Sequence, residues 1–273
     1  MFVRTYVKLI VPTLAAVLLL ADCSTGAKTP TSSSSQSVTA STTTKASQSS
    51  PPTPNAEARC GSKRVQSLLR QITGPSRARL PVLDVGQGST VAVFLHQTDG
   101  DGLCGWWPFA AWLTAHVHVR AVLVDLCGYG NADCPPSSFA EDQKAQVALA
   151  VQHARTAATR RVVLVGASMG GALALGSATA VHADAVVDLS GPADWTNAKA
   201  GPAARLLRVP CLIAVSPRDP DASYTDLKAA FATIPASPKK FVSGDGGHGW
   251  DLLSDTTAPL ATTVAHWIAG TYT

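Results

Sequence analysis

Ser168 stands in Gly166-Ala167-Ser168-Met169-Gly170, a G-x-S-x-G pattern with glycine two places away on each side of the serine. That spacing suits a nucleophile. A turn from strand to helix tight enough to raise a serine hydroxyl above a sheet leaves no room for larger side chains at the two glycine positions. A helix starting at the next residue would aim backbone N–H groups at an oxyanion formed on an attacked carbonyl. The chemistry implied is acyl transfer through a covalent serine intermediate, which needs a base to take the serine proton and an acid to orient that base. His248, in Gly244-Asp245-Gly246-Gly247-His248-Gly249-Trp250, is the candidate base. Asp219, which follows Leu212-Ile213-Ala214-Val215-Ser216-Pro217-Arg218, is the candidate acid. Each also has a plainer reading. Ser168 could be a small turn residue, His248 a loop histidine, and Asp219 a helix cap, with Asp194 then the substitute acid. His96, His153, His182 and His266 fit the chain order less well, and Asp245 and Asp251 flank His248 too closely in sequence to be first choice for the acid.

The elements that must position these residues are short apolar runs alternating with helical spacings. Val65, Leu68, Leu69 and Ile72 predict a leading helix over 61–72. Strands are expected over Leu80–Val85 and Thr90–Leu95, with Gly86-Gln87-Gly88 between them as a hairpin or tight connection. A helix from Trp106 to Ala115, a strand over Arg120–Leu126 and a long helix over Phe139–Ala158 follow. The pattern then gives a strand over Arg161–Val165, a helix over Met169–Ala180, and further strands over Ala185–Leu189, Pro210–Val215 and Lys240–Val242. Helices are expected over Ser223–Ala232 and Thr256–Ala269. Because the strands are apolar throughout, a mainly parallel, doubly wound α/β sheet with helices on both faces is predicted. In such a sheet sites form just past the carboxyl ends of strands. Those positions hold His96 and Gln97, Asp125 to Gly128, Ser168, Ser190 and Asp194, Asp219, and His248. With only about 20 residues between Leu189 and Pro210, no large cap domain is expected.

From Leu80 to its end the chain resembles the α/β-hydrolase superfamily, which includes carboxylesterases, lipases and dienelactone hydrolases. Four motifs carry the resemblance in order: Val91-Ala92-Val93-Phe94-Leu95-His96-Gln97, Asp125-Leu126-Cys127-Gly128-Tyr129-Gly130, the serine turn, and the acid followed by the histidine loop. The resemblance implies a Ser168, Asp219, His248 triad, with the backbone N–H groups of Gln97 and Met169 as oxyanion donors. It implies a serine hydrolase acting on a small-molecule ester or acyl substrate. Peptidases, thioesterases and acyltransferases use the same parts. A non-catalytic, hydrolase-like envelope lipoprotein that binds a ligand or partner is the alternative. Trp106, Trp107 and Trp250 are candidates to line the substrate pocket, with core packing as the other reading. No glycine-rich nucleotide fingerprint follows the first strand, so no cofactor is implied.

Composition bounds the rest. Of 273 residues 46% are hydrophobic, ample for a large core, and only 15% are charged, with a net charge of +4 not gathered into runs. Nucleic acid is therefore excluded as a partner. Arg4 and Lys8 precede an apolar run from Leu9 to Leu20, too short to span a bilayer and fitting an export signal over 1–22. Leu20-Ala21-Asp22-Cys23 is similar to the lipobox of bacterial lipoproteins, with Asp22 where that motif carries Gly, Ala or Ser. The similarity implies a lipid anchor at Cys23 on the extracytoplasmic side of the membrane. Ordinary cleavage and secretion is the alternative. Residues 23–58, rich in Ser, Thr and Pro, read as a disordered tether, and 59–273 as the hydrolase-like domain. Cys127 and Cys134 bracket a short loop and are the first candidates for a disulfide. Cys60 with Cys104 is the second pairing, and Cys211 reads as a buried free thiol. No metal site is indicated: no C-x-x-C pair occurs, and His116 and His118 alternate as a strand or helix end would.

Overall fold

Runs of β-branched residues and leucine make the strands, and eight of them pair into one sheet. The computed structural model describes residues 55–99 and 101–272. The export signal over 1–22, Cys23 and the tether as far as residue 54 lie outside the described residues. The described residues begin with α1 (Ala56–Cys60), α2 (Lys63–Leu68), β1 (Leu69–Thr73), β2 (Arg79–Gly86) and β3 (Thr90–Leu95). A 3-10 turn over Gly102–Trp106 leads into α3 (Trp107–His116), followed by β4 (Arg120–Val124), α4 (Ser138–Glu141) and α5 (Gln143–Ala154). Then come β5 (Arg161–Ala167), α6 (Met169–Ser177), β6 (Ala185–Leu189) and a small hairpin of β7 (Asp194–Trp195) and β8 (Ala198–Lys199). The chain continues through α7 (Ala200–Leu206), β9 (Cys211–Val215), α8 (Tyr224–Ala232), β10 (Lys239–Ser243), a 3-10 turn over Gly249–Leu253 and α9 (Pro259–Ala269).

The sheet order is β1-β2-β4-β3-β5-β6-β9-β10. β2 is antiparallel to both neighbours, and β4 through β10 run parallel. The chain leaves β3 on one side for β4 and returns on the other for β5. The carboxyl ends of β3 and β5, where Gln97 and Ser168 stand, therefore flank the reversal in strand order at which such sheets bind ligands. Successive residues of each central strand feed opposite faces. Val91, Val93 and Leu95 join a core with α5, α6, α7 and α8, while Ala92 and Phe94 join a second core with α2, α3 and α9. Phe94 is fully buried, and truncating it to alanine should cost about 3–5 kcal/mol.

Four features depart from the sequence expectation. Ala56 to Ala58, read as the end of the tether, belong to α1, whose first turn is capped by Asn55 Oδ1 accepting from Ala58 N at 3.1 Å. The leading helix stops at Leu68: Leu69–Thr73 turns into an edge strand antiparallel to β2, burying Ile72. β2 and β3 do not pair as a hairpin, because β4 lies between them, and are joined by the tight connection that the sequence also allowed. Gly86 and Gly88, at φ +79° and +150°, instead let their connection pass over the start of β4, where a Cβ at Gly86 would lie 2.4 Å from Val119 O. The long helix is broken at Asp142, whose carboxylate caps α5 by accepting from Lys144 N at 3.0 Å and Ala145 N at 3.1 Å. Between β6 and β9 the described residues hold only the short hairpin and α7, with no large cap.

Candidate active site

β5 ends at Ala167, α6 begins at Met169, and Ser168 makes the whole turn between them with φ +49° and ψ −119°. Such a backbone costs on the order of 1–3 kcal/mol and persists only where the surroundings impose it. Here the imposition is steric. A Cβ at Gly166 would lie 1.9 Å from Gly170 O, and one at Gly170 would lie 2.0 Å from Leu95 O. Three backbone hydrogen bonds then hold the turn: Ser168 N to Leu189 O at 2.8 Å, Gly170 N to His96 O at 3.1 Å and Ala172 N to Ser168 O at 3.1 Å. Beneath it, the fully buried Asp188 accepts from Gly191 N at 2.8 Å and presses on Gly171. Burial pushes its pKa up to about 7 against the Gly191 hydrogen bond.

The acid and the base meet. His248 Nδ1 donates to Asp219 Oδ1 at 2.8 Å, and the same oxygen accepts from Asp221 N at 3.0 Å and Ala222 N at 2.9 Å. Asp219 thus caps the turn after β9 and holds the histidine at once. α8 itself is capped by Ser223. Burial raises the pKa of Asp219, but the hydroxyl of Ser190, the two backbone amides and His248 together bring it below the ordinary value. An ionised carboxylate can only accept, so Nδ1 of the neutral ring carries the proton and Nε2 keeps its lone pair. Ser190 is fully buried at φ +56°, and neither its Oγ nor Asp219 Oδ2 has a hydrogen-bond partner.

The histidine loop is pressed against the rest of the site. Gly249, at φ +58°, leaves no room for a Cβ, which would lie 2.0 Å from Gln97 Oε1 and 3.3 Å from Ala167 Cβ. Gln97 Oε1 also accepts from Trp250 N at 3.2 Å, while its Nε2 donates to Asp99 Oδ2 at 2.7 Å. His248 is hydrogen-bonded to Asp219 and not to Ser168, and serine–histidine bonds are often long until substrate closes them.

Met169 N, at the start of α6, has no backbone acceptor within the described residues, nor have Gln97 N and Thr98 N. His96 O accepts from Gly170 N, and a trans peptide points its N–H opposite its C=O, so Gln97 N–H is directed away from Gly170. Both Gln97 N–H and Thr98 N–H, the latter not singled out by the sequence, are therefore free to partner Met169 N–H. His96 is buried and bridges two loops: Nδ1 donates to Gln97 O at 2.7 Å, and Nε2 accepts from Leu126 N at 3.1 Å. Burial lowers its pKa, and the ring is neutral scaffolding.

The aromatic candidates divide. Trp106 has no exposed surface and donates from Nε1 to Leu95 O at 2.9 Å, so it supports β3 from within the core and does not line a pocket. Trp107 is also buried, with the Arg64 guanidinium 5.9 Å from its ring centroid. Trp250, half-buried and two residues after the histidine, meets Trp106 edge-on at 6.1 Å. Asp194 is exposed and pairs with Lys199, far from the substitute acid's part. Cys127–Cys134 and Cys60–Cys104 are joined as disulfides, and Cys211 is free and buried. Among the described residues no group of three His, Cys, Asp or Glu side chains could hold a metal ion.

Asp125 stands out in the sequence as a strand-end residue, but its pairing with Arg59 has no sequence signal. Asp125 is fully buried and receives both ends of the Arg59 guanidinium at 2.8 Å, together with Leu103 N at 2.7 Å and Asn131 N at 3.1 Å. The Cys60–Cys104 disulfide lies beside this clamp, with Arg59 Nε 3.2 Å from Cys104 Sγ.

Residues 92–271 match the model of the alpha/beta hydrolase family. The chain belongs to that family. An esterase from Pyrococcus furiosus superposes with a TM-score of 0.64 at 11% identity, over 73% of this chain and 89% of that one. An esterase from Exiguobacterium antarcticum gives 0.59 at 14% identity over 72% and 98%, and an esterase domain from Rhodothermus marinus 0.57 at 18% over 74% and 95%. No curated protein sequence matches the chain.

Proposed function

We propose that this protein is an exported, lipid-anchored serine hydrolase that cleaves carboxylic esters through an acyl-enzyme. The observation that carries the reading is the 2.8 Å hydrogen bond from His248 Nδ1 to Asp219, in a loop packed against the residue before a strained Ser168. Ser168 Oγ attacks the ester carbonyl as His248 Nε2 takes its proton, and Asp219 stabilises the imidazolium. Met169 N–H, with Thr98 or Gln97 N–H, binds the oxyanion. Collapse of the tetrahedral intermediate expels the alcohol, which receives the proton from His248. Water then attacks the acyl-enzyme with His248 as base, releasing the carboxylic acid and restoring Ser168. The likeness to esterases among the structural neighbours supports the choice of ester.

Two disulfides in the folded domain support export to an oxidising compartment. The lipid anchor rests on the Cys23 motif. Hydrolysis of p-nitrophenyl acetate by the wild type, abolished in Ser168→Ala, is the expected result, and equal rates in the two proteins would refute the enzyme reading. Membrane retention should be lost in Cys23→Ala, and a variant that stays in the membrane fraction would refute the anchor.

A further inference from the structure

The β7–β8 hairpin is tied to the residue after Ser168 by a side-chain relay. Trp195 Nε1 donates to Gln143 Oε1 at 2.8 Å, and Gln143 Nε2 donates to Met169 Sδ at 3.1 Å. The relay joins three elements distant in sequence, and each anchor is fixed by other means. Met169 is fully buried in the first turn of α6. Gln143 opens α5, where the Asp142 cap holds the backbone. The hairpin lies along α6, where a Cβ at Gly176 would come 2.9 Å from Ala198 Cβ, and an ion pair between Asp194 and Lys199 joins its two strands. Trp195 and Gln143 are themselves only half-buried. A thioether sulfur is a weak acceptor, so Gln143 gains little from Met169 as a hydrogen bond. What the amide does well is hold the indole at a set distance from the nucleophile turn.

We propose that Gln143 and Trp195 are specificity-determining residues: their hydrogen-bonded pair closes the acyl side of the site between the first turns of α5 and α6 and limits the substrate to esters of short acyl chains. The inference rests on the ester-hydrolase reading of Ser168 and goes beyond it by assigning the acyl group's size. Because Met169 is fully buried while Gln143 and Trp195 are half-buried, an acyl chain leaving Ser168 toward those helix ends would meet the amide and the indole rather than the thioether. Each methylene that cannot be accommodated changes relative rates by about tenfold or more, so one removable wall should be visible in a chain-length series.

The experiment measures kcat/KM on p-nitrophenyl acetate, butyrate and octanoate for the wild type, Trp195→Ala, Gln143→Ala and Trp195→Phe, with thermal melts to confirm folding. In Trp195→Ala and Gln143→Ala the octanoate-to-acetate ratio should rise about tenfold or more. In Trp195→Phe, which keeps most of the ring volume, it should rise less. Gln143→Ala removes no aromatic packing and tests the relay if Trp195→Ala fails to fold. Ratios within about twofold of wild type in a folded alanine variant that still hydrolyses acetate would overturn the wall and leave the esterase standing. A wild type that hydrolyses none of the three esters and matches Ser168→Ala would overturn the ester reading and this inference with it.

Discussion

Asp125 and Asp219 follow β4 and β9 at the same end of one sheet, and the side chains of both are fully buried. Both accept two backbone amides. Their partners differ. Asp125 faces a guanidinium, a permanent cation held in bidentate geometry. Asp219 faces an imidazole, whose charge changes with one proton, and its second oxygen has no hydrogen-bond partner. The first arrangement can only hold: it fastens α1 and the 101–104 turn to the sheet. The second can hold a ring in one tautomer and also stabilise the charge that ring acquires when it takes a proton. Burial and hydrogen-bond count do not distinguish architecture from chemistry here. The partner's ability to titrate does.

The sharpest way to break the comparison is at the titrating pair. Asp219→Asn should lower kcat by about 10⁴-fold, because an amide in place of the carboxylate favours the wrong imidazole tautomer. Its urea midpoint should move little, and a large loss of stability with activity retained would place Asp219 with Asp125 among the structural groups. Arg59→Ala is the converse. It strands a buried carboxylate and should cost about 3–5 kcal/mol of unfolding free energy, read by urea denaturation, while the folded fraction keeps its kcat.

A third carboxylate refines the contrast. Asp188, under the serine turn, has no cation, and burial pushes its pKa up to about 7. The folded state therefore keeps a proton that the unfolded chain has already released, so this group's contribution to stability is full below the unfolded pKa and falls as pH rises toward 7. Between about pH 5 and 6.5 the wild type should lose on the order of 2 kcal/mol relative to Asp188→Asn, which cannot titrate. Parallel stability curves for the two proteins would contradict this. The smallest effect is expected at Ser190. Ser190→Ala removes a hydroxyl that lowers the Asp219 pKa, so kcat should fall by about tenfold at most, the scale of one polar contact with a charged group. The acid limb of the kcat/KM profile should move to higher pH, and an unmoved limb would show that Ser190 only fills space.

What the sequence made legible follows from where physics is local. Gly166 and Gly170 announce the serine turn because no other residue fits within about 2 Å of a neighbouring carbonyl, and the strand-end rule leads to Asp219 and His248 without knowledge of their contact. What was not legible depends on partners far along the chain. Leu69–Thr73 carries too few apolar residues to separate a helical from a strand period, and it is the pairing with β2 that makes it a strand. Gly86 and Gly88 would serve a hairpin as well as the crossover they form. Trp106 looked like a pocket residue because its type is ambiguous, and only the acceptor at Leu95 O fixes it in the core. The Arg59–Asp125 clamp and the Trp195–Gln143–Met169 relay join residues 66, 52 and 26 positions apart, which no local pattern reveals.

The central claim is that Ser168 is a nucleophile activated by a histidine that Asp219 holds. The most direct measurement is the rate of covalent modification by a fluorophosphonate, with the adduct located by peptide mass spectrometry. Labelling on Ser168 alone, absent in Ser168→Ala and strongly slowed in His248→Ala and Asp219→Asn, is the predicted result. A wild-type protein that does not label, or one that labels at the same rate without His248, would contradict it.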